Sequence, residues 1–289
     1  MDRLKNFFVS ALALVGLVVA LAVALLVTSC IVSPVQMILG QTAYDVSVNL
    51  CSDVLFVLLI ALILWLLHRG ELAEAQSFFG LSQQAGIKVY VSGHEDAKTQ
   101  SKKVVTAMEY DAAIIIKDAL RHLSGRGFIG KAASVVAGLI GQPPQLADVT
   151  VEVSPLEPVT KPLLDTSVIL IGGPVRNQLT AYYAQGRPFF RFGDDLQPNG
   201  FVERVDNQYR PVEDFHNVSI VERMKLNGQV VIFAFGYGEE HTKAAAEYLA
   251  ANWRQLNKEY PNMAFGIRMS VNDQGRIKVE RRLHDRSGM

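Results

Sequence analysis

The chain has 289 residues, with 28 Lys or Arg and 28 Asp or Glu, so its formal net charge at pH 7 is zero. This balance excludes the strongly basic class of nucleic-acid-binding proteins, and we expect no direct binding to DNA or RNA. The length is sufficient for one sizeable domain with appendages.

The first seventy residues are the most apolar part of the chain. Phe7 to Val32 contains no charged residue over about 26 positions, and as a helix it would exceed the roughly 30 Å hydrocarbon core of a bilayer. Val54 to Leu67 is an apolar run of about 14 residues, which spans a bilayer only if the residues from Val46 onward join the helix. We therefore predict a transmembrane hairpin of two helices within residues 1–70.

Basic residues flank this hairpin on one side only. Arg3 and Lys5 precede the first span and Arg69 follows the second, whereas residues 33–52 contain no Lys or Arg. The distribution predicts a two-pass protein of the inner membrane with both termini in the cytoplasm and the lipid bilayer as a partner. A rival interpretation takes Val27–Cys30 as a lipoprotein cleavage box, although the apolar region before it is longer than a signal peptide needs.

Cys30 and Cys51 are the two cysteines of the chain. In the predicted hairpin they lie at similar depth on the oxidising side of the membrane, where a disulfide could join the two helices. The alternative is that both are small apolar residues at helix ends.

Residues 71–86 are predicted to be a juxtamembrane connector, and residues 87–289 a single cytoplasmic domain. Strand and helix patterns alternate in its first half, which predicts an α/β, Rossmann-like domain with a mostly parallel sheet and an antiparallel edge. The predicted strands include Ile87–Ser92, Asp148–Ser154, Pro188–Gly193, Gly200–Val205, Ser219–Met224, Gln229–Phe235, Phe265–Ser270 and Arg276–Arg281. The main predicted helices are Val104–Leu123 and Thr242–Tyr260.

A glycine turn joins a predicted strand to a predicted helix between residues 166 and 184, in the sequence TSVILIGGPVRNQLTAYYA. Gly172 and Gly173 would let backbone N–H groups approach an anionic ligand. Arg176 would add a bidentate donor, and Asn177 an amide that could read a base or a ribose. The structural alternative is that glycines are simply the residues that best allow a sharp strand-to-helix turn.

A second glycine turn has the same design in QVVIFAFGYGEEHTKAAAEYL, which starts at residue 229. Gly236, Gly238 and Thr242 are its candidate ligand contacts. If both preceding strands are parallel, the two turns lie at the same edge of the sheet and share one crevice.

Glu239 and Glu240 follow the second turn and are the weak candidates for a catalytic base. Their alternative role is to complement the helix dipole, as acidic residues in a first turn usually do. His94 lacks a second histidine at ligand spacing, so we expect no metal site, and no complete cofactor fingerprint is present.

The chain resembles, in layout and in three short segments, poorly characterised prokaryotic membrane proteins with a cytoplasmic Rossmann-like domain, some linked to antiviral systems that signal through nucleotides. The segments are IKVYVSG, ILIGGPVRN and VVIFAFGYGEEHTKAAAEYL. The layout is also similar to nucleotide-sensing effectors of the SLOG and CARF kind. The resemblance implies ligand contacts at Gly172, Gly173, Asn177, Gly236, Gly238 and Thr242.

Together these features predict a membrane-anchored sensor or effector that binds a nucleotide-like anion, oligomerises with its own copies and transmits binding to the hairpin, in the setting of antiviral defence. A membrane-tethered hydrolase of nucleotides or NAD is the enzymatic alternative. A non-catalytic membrane scaffold that recruits a protein partner is the third interpretation.

Overall fold

The computed structural model describes residues 41–80, 87–95, 103–121, 149–161, 167–186, 189–194, 197–226, 229–272 and 274–285. The chain divides into a unit of residues Met1–Ile60 and a larger compact unit of residues Ala61–Met289. The larger unit contains the sheets and the glycine turns, and the rest of the description concerns it.

The described residues form four α-helices and twelve strands. The helices are α1 (Gln41–Phe79), α2 (Ala107–Arg121), α3 (Gln178–Tyr183) and α4 (Glu239–Glu259). The first six strands are β1 (Ile87–Val91), β2 (His94–Glu95), β3 (Lys103–Val104), β4 (Val149–Val153), β5 (Val168–Ile171) and β6 (Phe190–Asp194). The remaining strands are β7 (Gln197–Val205), β8 (Gln208–Pro211), β9 (Val218–Leu226), β10 (Gln229–Gly236), β11 (Phe265–Val271) and β12 (Ile277–His284).

Seven strands form a central sheet in the order β12, β11, β9, β10, β5, β1, β4. Neighbours from β10 to β4 are parallel, whereas β9, β11 and β12 pair in antiparallel fashion. The unit is therefore α/β with a mixed sheet, and the prediction of a mostly parallel sheet is wrong. Both β9–β10 and β11–β12 are consecutive pairs joined by short connections, which require antiparallel strands.

Each face of the central sheet carries its own hydrophobic core, because successive residues of a strand point to opposite faces. On one face, β1, β5 and β10 pack against α2, α4 and the last turns of α1; Leu72, Phe78 and Trp253 are among the buried side chains. On the other face, α3 and the sheet β6–β7–β8 cover aromatic and aliphatic residues such as Tyr183 and Phe233. The sheet is thus the middle layer of three.

Arg223 of β9 fixes the end of α1 to the sheet. Its guanidinium donates to the backbone carbonyls of Phe78 at 2.7 Å, Ser77 at 3.1 Å and Met263 at 2.7 Å. Two of these carbonyls belong to the last turn of α1, where they have no partner within the helix. Burial lowers the pKa of Arg223 to about 10, so the guanidinium remains charged at neutral pH. Ser77 and Phe78, which belong to the predicted connector, are therefore held against the sheet.

The small sheet β6–β7–β8 is attached to the central sheet through two buried carboxylates. Glu222 of β9 accepts hydrogen bonds from the backbone N–H groups of Phe189 at 2.6 Å and Phe190 at 3.2 Å. Glu203 of β7 pairs with Arg281 of β12 and lies 3.6 Å from Arg268 of β11. Strand β8 was not predicted from the sequence, although Asp206-Asn207 is a typical hairpin dipeptide and both residues have positive φ, 52° and 63°.

The predicted transmembrane hairpin is contradicted. The first span, Phe7 to Val32, lies outside the described residues. Val54 to Leu67 lies within α1, and nowhere in the described chain does a helix combine the length and the apolar content needed to cross a bilayer. The apolar run itself is shorter than the roughly 20 residues that a span requires. The inner-membrane localisation and the hairpin fold are corrected accordingly, and the bilayer partner stays a prediction.

The raised pKa of Glu222 predicts how the free energy of unfolding depends on pH. Burial raises the pKa of this carboxyl from 4.5 to about 8, so between these values the folded chain binds more protons than the unfolded chain. Stability therefore falls as pH rises through this interval, by on the order of 4 kcal/mol at full titration. We expect urea unfolding between pH 5 and pH 8 to show this decline, and Glu222→Gln to reduce its slope.

The glutamine variant will be less stable at pH 5, because its NH₂ group cannot accept from a backbone N–H. The comparison therefore concerns the slope and not the absolute stability. Glu247→Gln, on the exposed side of α4, is the matched control. An unchanged slope in Glu222→Gln would contradict the assignment.

Candidate functional site

The carboxyl ends of β1, β5 and β10 lie side by side. Tyr90 of β1 and Phe233 of β10 are both in register with Leu170 of β5. Because the three strands are parallel, the segments that follow them leave the sheet at one edge. The two glycine turns, which follow β5 and β10, are therefore neighbours.

Gly172 makes the first turn possible by a close approach to two side chains. Its φ is +96°, and a Cβ at this position would lie 2.1 Å from Ser92 Oγ and 2.7 Å from Glu109 Oε1. Its N–H donates to Ala234 O at 3.1 Å, and its carbonyl accepts from Thr180 Oγ1 at 3.0 Å. Only glycine satisfies both the conformation and the space.

Asn177 is a structural brace of this first turn. Its Oδ1 accepts from the N–H groups of Leu179 and Thr180, each at 3.1 Å, and so caps α3. Its Nδ2 donates to Ile171 O at 2.9 Å and to Tyr90 O at 3.5 Å. The side chain is fully buried. Its amide is therefore occupied by the turn, and the base-reading role predicted for it has no free group to perform it.

The second turn is closed by Thr242. The Thr242 hydroxyl accepts from Gly236 N at 3.1 Å, and its own N–H donates to Gly238 O at 2.9 Å. A Cβ at Gly236 would lie 2.3 Å from His241 Cβ, so this glycine also permits a close approach. Gly238 is the N-cap of α4 and forms no side-chain cap hydrogen bond. The start of α4, with its partial positive charge, faces the edge of the sheet.

A cleft of about 720 Å³ lies between the two turns. It is lined by Glu109, Gly173, Pro174, Val175, Arg176, Phe192, Phe201, Gly236, Tyr237, Gly238, Glu239 and Thr242. We call this space the cleft. A Cβ at Gly173 would meet no atom within 4 Å, which leaves the backbone of the first turn open to it.

An ion pair connects the two turns across the cleft. Arg176 Nη1 of the first turn lies 3.3 Å from Glu239 Oε1 of the second, and the two side chains are 58% and 38% exposed. Exposed ion pairs of this kind contribute little to stability. Arg176 can therefore exchange Glu239 for another anion at small cost.

Glu109 of α2 is the buried carboxyl of the cleft. It is only 4% exposed, and its Oε1 accepts from Ser92 Oγ at 3.1 Å. Its Oε2 is buried and has no hydrogen-bond partner among the residues that the structure describes. A buried polar atom without a partner is costly, so a ligand group that reached this oxygen would relieve that cost.

Burial raises the pKa of Glu109 from 4.5 to about 7. The hydrogen bond from Ser92 and the charge of Arg176 lower this pKa, and the charge of Glu239 raises it. Both protonation states are therefore populated near neutral pH. A carboxyl with this property can either donate or accept a proton, as general acids and bases do.

Most of the residues predicted as ligand contacts line the cleft, namely Gly173, Arg176, Gly236, Gly238 and Thr242; Gly172 and Asn177 support the turn from behind. Of the two weak catalytic candidates, Glu239 lines the cleft and Glu240 does not belong to its lining.

Cys51 lies in α1 but Cys30 is outside the described residues, so the disulfide stays a prediction. In the described ranges, no group of three His, Cys, Asp or Glu residues could hold a metal ion.

Sequence reasoning missed Glu109, although a signal was present. The buried residues Ala112, Ile116 and Leu120 form the inward stripe of α2, and Glu109 extends this stripe by one turn. A carboxylate at a stripe position is directed inward by the helix period. The break in the apolar pattern was therefore the sign of a buried polar site.

The chain matches no family model, no curated protein sequence and no solved structure. The resemblance to SLOG and CARF effectors thus stays a prediction.

The contrast between the two adjacent glycines gives a direct test of the first turn. We expect Gly172→Ala to destabilise the protein by about 2–3 kcal/mol, because the new methyl group meets Ser92 and Glu109 at positive φ. Gly173→Ala has open space and should change stability by less than about 0.5 kcal/mol. Urea unfolding of both variants measures the difference, and equal stabilities would contradict the described geometry.

Proposed function

We propose that the domain binds a nucleotide-like anionic ligand in the cleft. The observation that carries this proposal is that Glu109, whose buried Oε2 lacks a partner in the described part of the chain, lines a cleft that also contains Arg176. A site with one cation, a helix start and an unsatisfied carboxyl suits a ligand that has both an anionic group and a hydrogen-bonding group.

Arg176 and the start of α4 would hold the anionic group. A phosphate oxygen offers Arg176 a stronger and bidentate partner than the exposed Glu239 carboxylate. The first amides of α4 and the open backbone at Gly173 add donors that cost little to align. In this arrangement the ligand replaces Glu239 as the partner of Arg176.

Glu109 would satisfy its free oxygen with the ligand. As a neutral acid it can donate to a phosphate or carbonyl oxygen, and as a carboxylate it can accept from a sugar hydroxyl. An anionic group nearby favours the neutral acid. Binding of such a group would therefore be accompanied by proton uptake at Glu109.

The biological role in this proposal is that of a sensor or effector whose conformational equilibrium is shifted by the ligand. Such a shift requires different affinities for two arrangements of the protein. Self-association of the chain is one arrangement that ligand binding could favour. The setting of antiviral defence is implied by the resemblance alone.

The ion pair provides the test of binding. In isothermal titration with ATP, NAD and cyclic dinucleotides, we expect at least one to bind to the full chain. Arg176→Gln should weaken that binding by about tenfold or more, since a charge-assisted hydrogen bond is lost. Glu239→Gln should strengthen it, because the competing carboxylate is removed and Arg176 is free to meet the ligand.

Arg210→Gln, exposed on β8, is the matched control and should leave binding as in the unmodified protein. Opposite effects of the two charge variants are the decisive result. Heat flow that is absent for the whole panel, or an Arg176→Gln variant with unchanged affinity, would overturn the proposal.

The raised pKa of Glu109, about 7, favours a second candidate function, hydrolysis of an N-glycosidic bond in a nucleotide or NAD. Water would add to the anomeric carbon as the C–N bond breaks. In a purine or pyrimidine nucleotide, protonated Glu109 would give its proton to the leaving base, whereas nicotinamide leaves NAD as a neutral base without protonation. The attacking water would lose a proton to Glu239 or to bulk water. This assignment places the acid at Glu109 and not at Glu240, which lies outside the cleft lining.

Glu109→Gln separates the two functions. For a hydrolase, we expect the release of free base from a nucleotide, measured by liquid chromatography, to be at least about a hundredfold slower in Glu109→Gln than in the unmodified protein. Affinity for the substrate should change much less. Glu240→Gln, next to the cleft but not part of it, is the control. If a ligand binds and is recovered unreacted, the hydrolase function is refuted and the binding function is retained.

A further inference from the structure

A second cavity of about 370 Å³ adjoins the cleft. Pro174 and Phe192 line both spaces, so the two meet at these residues. The second cavity lies on the face of the central sheet that carries α3 and β6, and we call it the aromatic cavity. Its size and that of the cleft both fall in the roughly 300–1,000 Å³ range of ligand sites.

Phenylalanine rings form one continuous wall from the cleft into the aromatic cavity. The ring centroids of Phe192 and Phe201 are 5.0 Å apart, those of Phe201 and Phe235 are 5.9 Å apart, and those of Phe235 and Phe233 are 6.3 Å apart. Phe192 is half-buried at the junction, whereas Phe233 and Phe235 are buried in the sheet. The rings meet edge-to-face or tilted, so the half-buried ring of Phe192 is the one that could stack on a planar ligand, and the others supply apolar contact.

Glu222 places a polar group in the wall of this apolar space. The carboxyl lines the aromatic cavity and is only 1% exposed. Each of its oxygens accepts one backbone N–H, from Phe189 and Phe190, which fixes its orientation. Burial raises the pKa of Glu222 to about 8, so near neutral pH the group carries a proton that it can donate to a ring nitrogen or a carbonyl oxygen.

We propose that the aromatic cavity is a base-binding subsite, in which the heterocycle of a nucleotide stacks on the phenylalanine wall and hydrogen-bonds to Glu222 while its phosphate lies in the cleft. This inference rests on the proposed function and names its ligand class. It accounts for a second lined space that shares Pro174 and Phe192 with the first and differs from it in chemistry. The cleft supplies charge, and the aromatic cavity supplies phenylalanine rings together with Glu222 and other polar side chains, among them Thr180 and Arg191.

The test compares ligands with and without a base. AMP, GMP, CMP and UMP are titrated against the full chain beside ribose 5-phosphate, which retains the phosphate and lacks the base. We expect at least one nucleotide to bind about tenfold or more tightly than ribose 5-phosphate, since base–aromatic stacking has this magnitude.

Two variants address the subsite separately from the cleft. Ala181 lines the aromatic cavity but not the cleft, so Ala181→Phe should fill the cavity and reduce nucleotide affinity to that of ribose 5-phosphate. Phe192→Leu removes the ring at the junction and should weaken nucleotide binding about tenfold. Tyr182→Leu, a half-buried aromatic residue of α3 outside both linings, is the control. Circular dichroism and thermal unfolding establish that each variant is folded.

The outcomes distinguish the inference from the proposal beneath it. Selective loss of nucleotide affinity in Ala181→Phe, with ribose 5-phosphate binding unchanged, supports the base subsite. Equal affinities for nucleotides and ribose 5-phosphate, or equal losses for both in Ala181→Phe, overturn the subsite and leave anion binding in the cleft intact. Absence of binding for all of these probes overturns the subsite, and absence of binding for ATP, NAD and the cyclic dinucleotides as well overturns both.

Discussion

The parallel alignment of β1, β5 and β10 is the constraint on which the site depends. Their common register brings three chain exits to one edge of the sheet, and there the backbone of Gly172 lies against Ser92 and Glu109. A side chain at Gly172 would push these groups apart. The burial of Glu109 therefore follows from strand alignment together with the absence of one Cβ atom, and the cleft exists because both turns are tight enough to leave space between them.

Three buried glutamates differ in the polar partners that offset the loss of water around their carboxyl groups. Glu203 is paired with two arginines, Glu222 accepts two backbone N–H groups, and Glu109 accepts only the hydroxyl of Ser92. Glu109 has the fewest hydrogen-bond or ion-pair partners of the three, and it is the residue of the three that lines the cleft. Uncompensated burial lowers stability, and sites of this kind are concentrated where a protein binds or reacts with other molecules. The small number of polar partners at Glu109 therefore supports a functional role for this residue.

The local features of this fold were readable from the sequence, and the long-range ones were not. A strand followed by glycines and a helix is a local pattern, so both turns were placed correctly, and their adjacency follows from parallel pairing. The pairing of β11 with β9 joins residues that are 42 to 52 positions apart, and no local pattern specifies it. Val54 to Leu67 showed that an apolar run alone does not define a membrane span. Asn177 has the type of side chain that often contacts ligands. Its hydrogen bonds to the carbonyls of Tyr90 and Ile171 depend on the tertiary fold, so the sequence did not predict them.

Strand β9 connects the two faces of the sheet through adjacent residues. Glu222 points to the aromatic cavity and Arg223 points to the opposite face, where it holds the last carbonyls of α1. Because the two residues are neighbours on one strand with side chains on opposite faces, a shift of the strand at Glu222 would also shift Arg223. The same strand pairs with β10, whose end forms the second glycine turn. A ligand that contacts Glu222 and the second turn together would therefore act on one continuous element, and α1 is the helix whose end that element holds.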